Sequence, residues 1–112
     1  MELFVYGTLR DPELVRDLTG SYFDRVPAVL HGYRRIEMPR RYPWIEEADA
    51  DHAVEGVLLL GLDPPALTTI DTYECLGELY RRIEVEVSAG ATLRRCFTYV
   101  GLRAALLSCV RG

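Results

Sequence analysis

The chain contains no lysine, no asparagine and no glutamine among its 112 residues. Each absence excludes a class of chemistry. Without lysine there is no Schiff-base nucleophile, no anchor for a pyridoxal cofactor and no phosphate-loop lysine. Without asparagine there is no N-glycosylation acceptor and no Cys-His-Asn triad. Cysteine is scarce and odd in number. Cys75, Cys96 and Cys109 form no CxxC pair, which points to reduced thiols in a cytoplasmic protein rather than a disulfide framework. His31 and His52 lie far apart and share no metal-ligand spacing, so neither a metal nor a cofactor is expected. No apolar run approaches the roughly 18 residues of a membrane span, and the N-terminus enters a strand pattern without a signal peptide's basic segment.

What is present is ordinary for a globular chain. Hydrophobic residues make up 49%, and 17 acids against 13 arginines leave a net charge of −4. One domain over residues 1–112 is the expectation at this length. The acidic balance argues against nucleic acid as a partner.

Hydrophobic patterning orders the elements. Glu2 to Tyr6 is a short continuous apolar run, suited to a strand buried on both faces and ended by Gly7. Asp11-Pro12 opens a helix that buries Leu14, Val15 and Leu18 and stops at Gly20. Residues 25–36 form a second strand. Met38 to Asp51 is a loop with room for one short strand. Val54 to Leu62 is the next strand, and Asp63-Pro64-Pro65 opens a second helix reaching about Glu74. Tyr80 to Val87 alternates, and a turn at Ala89-Gly90-Ala91 returns Thr92 to Val100 as the other arm of a hairpin. Residues 103–112 form a short helix or tail. The order suggests an α+β domain on a mixed or closed sheet.

Two positions stand out for chemistry. At 100° per residue, Glu74 falls between Leu67 and Ile70 on the second helix, with the apolar face. Burial and the negative end of the helix dipole would both raise its pKa toward a range useful for proton transfer. The competing reading is a frayed helix end with a solvated carboxylate, and periodicity alone favours it. The second position is the turn Tyr6-Gly7-Thr8-Leu9, whose successive amides could face an anion. An ordinary strand-to-helix turn explains it equally well.

The arginines come as adjacent pairs, including Arg34-Arg35, Arg40-Arg41 and Arg81-Arg82. In a strand each pair sends one guanidinium to each face. Parity turns Arg81 inward with Ile83, Val85 and Val87. The Tyr33 to Trp44 segment interleaves basic and aromatic residues, a pattern compatible with single-strand nucleic acid, but Glu46 to Asp51 opposes it.

Taken together, these features resemble the gamma-glutamylcyclotransferase-like superfamily, which includes gamma-glutamylamine cyclotransferases and plant avirulence-induced relatives. The matching segments are Val5 to Arg10, Leu30 to Tyr33, Tyr42-Pro43, Val54 to Val57, Ile70 to Glu74, Tyr80-x-Arg82 and Tyr99. The resemblance implies an α+β fold, a small mixed β-barrel with flanking helices and a cavity at one end. It implies Glu74 as the catalytic residue, with Tyr6, Gly7, Thr8, Leu9, Tyr80, Arg82 and Tyr99 binding substrate. Here it disagrees with parity, which turns Arg81 inward. The implied reaction closes a γ-glutamyl substrate on its own α-amine, releasing 5-oxoproline and an amine, without cofactor or metal. The implied partner is a small γ-glutamyl molecule, not nucleic acid or membrane. The alternative is a non-catalytic binding or regulatory module on the same fold. The leaving group and the oligomeric state are not legible in the residues.

Overall fold

A computed structural model describes residues 1–109. The strands are β1 (Leu3–Val5), β2 (Arg25–His31), β3 (Tyr33–Ile36), β4 (Trp44–Glu47), β5 (Ala53–Leu59), β6 (Tyr80–Ala89) and β7 (Thr92–Gly101). The helices are α1 (Pro12–Thr19), α2 (Pro64–Tyr73) and α3 (Arg103–Ser108), and one 3₁₀ turn covers Thr8–Arg10. Five strands close into a barrel in the order β1-β5-β2-β6-β7. Neighbours run antiparallel except β1 and β7, whose parallel pairing closes it. The α+β class and mixed barrel expected from the sequence are therefore present.

Alternation along each strand sorts the core into two layers. Phe4, Leu30, Val54, Leu58, Val87 and Cys96 fill the barrel interior. Leu3, Val5, Leu59 and Tyr99 point outward, and Val15 of α1, Ala66 and Ile70 of α2, and Leu106 cover them. With both faces closed, β1 reads as an unbroken apolar run.

The expected strand over residues 25–36 is two strands. Gly32 sits at φ +82, a left-handed conformation that costs glycine nothing. The chain turns there, and its backbone bonds divert to His52 and Ala48. β3 leaves the barrel and pairs with β4, from Tyr33 opposite Glu47 to Ile36 opposite Trp44. Trp44 is fully buried. Its ring occupies the space above Gly101, where an added Cβ would lie 2.3 Å from Cδ1. That burial removes Trp44 from any base-stacking surface. Among the described residues no helix is long and apolar enough to cross a membrane, and no group of three or more His, Cys, Asp or Glu side chains could hold a metal.

Candidate active site

β1 and β7 run parallel while β6 runs antiparallel to β7. The end of β1, the end of β7 and the start of β6 therefore meet at one end of the barrel. A cavity of about 930 Å³ opens there. Its walls are the turn from Tyr6 to Arg10, the segment from Arg35 to Pro43, the end of α2 from Tyr73 to Cys75, and Tyr80 and Tyr99.

Glu74 is the C-cap residue of α2. The helix ends in a Schellman arrangement: the Leu76 amide donates to Asp71 O at 3.0 Å and the Cys75 amide to Thr72 O at 3.1 Å. Cys75 holds the left-handed position at φ +54, where glycine is usual. The helix thus does not fray before Glu74, and its carboxylate lines the cavity. Among the described residues the carboxylate makes no hydrogen bond or ion pair. Burial without a compensating cation pushes its pKa up from 4.5 to about 7.

Three phenols share this environment, and the negative charge of Glu74 adds to the burial that raises each pKa. Each phenol already donates its proton. Tyr6 donates to Tyr99 O at 2.6 Å, Tyr80 to Pro43 O at 2.7 Å and Tyr99 to Asp71 Oδ1 at 2.5 Å. They stiffen the wall and offer a ligand lone pairs rather than protons.

The turn after β1 has the opposite character. Among the described residues the amides of Gly7, Thr8 and Leu9 donate to no acceptor of the chain, while the following Arg10 amide closes on Gly7 O at 3.1 Å. At the start of this 3₁₀ turn, three N–H groups therefore remain without an acceptor from the described chain. A Cβ on Gly7 would meet nothing within 4 Å, so the space beside it is open to a ligand. The Arg35 guanidinium of β3 donates to Tyr6 O and pairs with Glu37, fixing the peptide that leads into the turn. The Thr8 hydroxyl lies 2.9 Å from that of Tyr73, tying the turn to the end of α2.

The structure brings seven of the eight sequence-derived residues to this cavity: Tyr6, Gly7, Thr8, Leu9, Glu74, Tyr80 and Tyr99. Arg82 is not among its lining residues. It pairs with Asp71 and stands over the Phe97 ring, on the outer face beneath α2. Arg81, inward by parity, is exposed. Alternation separates the two faces of β6 but does not say which is covered at the strand's start. There α2 covers the face of Tyr80 and Arg82. Arg35, Arg41 and Tyr73 line the cavity without having been singled out individually. Arg35 and Arg41 belong to adjacent-arginine pairs, but only the departure of β3 from the barrel brings this segment over the opening.

The model of the family described as gamma-glutamyl cyclotransferase, AIG2-like, matches residues 3–108. Protein AIG2 C of Arabidopsis thaliana is 36% identical over 86 residues, covering 76% of this chain and 50% of the relative. AIG2-like protein C of the same plant is 34% identical over 100 residues, covering 88% and 58%. The chain spans about half the length of the curated relatives it matches. A solution structure of an Arabidopsis thaliana protein superposes with a TM-score of 0.82 at 32% identity, covering 91% of this chain and 62% of that one. A structure described as a gamma-glutamyl cyclotransferase superposes at 0.73 with 19% identity, covering 88% and 64%, a likeness of fold.

Proposed function

This chain belongs to the AIG2-like gamma-glutamyl cyclotransferase family, and from that premise we propose that it releases 5-oxoproline from γ-glutamyl substrates, with Glu74 carrying the proton. The observation that carries the reading is an unpaired, poorly solvated carboxyl of pKa about 7 lining the same cavity as three unpaired amides.

The substrate's α-amine attacks its own γ-carbonyl carbon. A C–N bond forms to close the five-membered ring, the C–N bond to the outgoing amine breaks, and one proton moves from the attacking nitrogen to the leaving one. No water is consumed. A carboxyl with pKa near neutrality is ionised and protonated in comparable amounts, so Glu74 can accept the first proton and return it to the leaving nitrogen. The amides of Gly7, Thr8 and Leu9 suit the substrate carboxylate or the oxyanion of the tetrahedral intermediate. The tyrosines do not serve as oxyanion donors, because their protons are engaged elsewhere. Their lone pairs can accept from the N–H bonds of the substrate's attacking amine. Folding the glutamyl chain against this wall contributes an orientation term.

The test is a panel of γ-glutamyl amines and peptides with 5-oxoproline as the measured product. Glu74→Gln should reduce kcat by about 10²–10⁴-fold, the usual worth of a positioned acid–base group. Undiminished turnover by this variant would refute the role given to Glu74.

A further inference from the structure

The reacting glutamyl group fills only part of a cavity of about 930 Å³, a volume near the upper end of the roughly 300–1,000 Å³ range of small-molecule sites. The lining also carries apolar side chains that the reaction does not use. Met38, Tyr42 and Tyr73 line the cavity and are among the exposed large apolar side chains of the described residues, at 38%, 40% and 37%. Apolar surface left open inside a cavity, rather than scattered over the outside, is surface available to a ligand.

Arg41 lines the same cavity. Its amide donates to Met38 O at 3.2 Å, its Nε to Leu107 O at 3.0 Å and its Nη1 to Arg40 O at 3.3 Å. These bonds hold the guanidinium in place through carbonyls only. Among the described residues it pairs with no carboxylate, in contrast to Arg35, which pairs with Glu37. Arg10, Glu37 and Glu78 also line the cavity, Glu37 held by Arg35, and Arg10 also donates to a carbonyl, Gly7 O at 3.0 Å. A held guanidinium with donors to spare suits a carboxylate, which it can grip bidentately.

We propose that Arg41 and these apolar side chains form the leaving-group subsite, and that it selects γ-glutamyl conjugates whose amine bears both a carboxylate and a bulky apolar or aromatic side chain. Arg41 takes the carboxylate; Met38, Tyr42 and Tyr73 take the side chain. The inference rests on the cyclotransferase reading and narrows it to one substrate class.

Three matched conjugates test it: γ-glutamyl-phenylalanine, γ-glutamyl-phenethylamine, which keeps the ring and lacks the carboxylate, and γ-glutamyl-alanine, which keeps the carboxylate and lacks the ring. The first should exceed each of the others in kcat/KM by about 10- to 100-fold, the range that a hydrogen bond to a charged group, or the burial of an aromatic side chain, commands. Arg41→Gln should collapse the phenylalanine-to-phenethylamine ratio toward one, and Arg41→Lys should retain part of it. Equal kcat/KM for all three with 5-oxoproline still formed would overturn the subsite and leave the cyclotransferase reading intact. Absence of 5-oxoproline from every conjugate would instead overturn that reading. The subsite is then decided by calorimetric binding of the same conjugates to the parent and Arg41→Gln proteins. Tighter binding of γ-glutamyl-phenylalanine that depends on Arg41 supports it, and indifferent binding overturns it.

Discussion

α1 and α2 begin by the same rule and end by different ones. Each opens on an aspartate whose side chain accepts a backbone amide, with proline in the first turn. α1 then closes on Gly20 at φ +84, with Arg16 in its last turn complementing the dipole. α2 closes on a carboxylate followed by Cys75 at φ +54. This end places an acid against the negative pole of the helix and a Cβ in the left-handed region, both unfavourable. Both departures lie in the cavity wall. Local rules hold at the helix end that does not line the cavity and give way at the end that does.

The largest consequence of that difference lies in the pH dependence of stability. The Glu74 carboxyl titrates at its ordinary 4.5 in the unfolded chain and at about 7 in the fold. Between these values the folded state holds a proton that the unfolded state has released. The contribution is therefore fully present below about pH 4.5 and is lost as pH rises through about 7. At roughly 1.4 kcal/mol per pKa unit, the loss is bounded by about 3 kcal/mol. Glu74→Gln, which removes the titration, should unfold at a higher temperature than the parent at pH 8, with the gap closing toward pH 4.5. Thermal melts across pH 4 to 9 check this, and a gap that does not change with pH would break the comparison.

The end of α1 supplies the control. Gly20→Ala forces a Cβ into the left-handed region at the ordinary helix stop and should cost about 1–2 kcal/mol by denaturant titration. Turnover per folded molecule should stay unchanged, because Gly20 is not among the residues lining the cavity. A loss of turnover at full folding would mean that the two helix ends are not functionally separate.

Features set by local rules were the ones legible in the residues. The two Asp-Pro helix starts, the alternation of β6 and the turn at Gly90 depend on a few adjacent side chains, and each appears in the fold. The angular position of Glu74 was also legible. Its poor solvation was not, since that comes from Tyr6, Tyr80 and Tyr99, which arrive from β1's end, β6 and β7. The break at Gly32 was hidden because residues 25–36 are strand-like on both sides of it. Arg81 misled for a related reason: a strand's parity assigns faces, while the element covering each face is decided elsewhere in the chain, and Arg81 is exposed. The segment of Arg35, Arg41 and Tyr42 reaches the cavity only through the small β3–β4 sheet, a pairing between distant residues.

The smallest effect, and the finest test of the comparison, is at Cys75. If its backbone conformation is a cost imposed by the placement of Glu74, Cys75→Gly should relieve that cost. The relief is partly offset by the greater freedom of glycine in the unfolded chain, leaving a net gain of about 0.5–1 kcal/mol. A rise of a few degrees in Tm is the expected reading. The Schellman bonds of Cys75 and Leu76 are made by backbone groups, so they survive the substitution and Glu74 stays aimed into the cavity. Turnover should therefore be preserved, since the mechanism asks nothing of the thiol. A drop in kcat despite a raised Tm would mean that the strained backbone or the Cys75 sulfur acts on the substrate. The departure from the rule at this helix end would then be part of the chemistry rather than a by-product of aiming the acid.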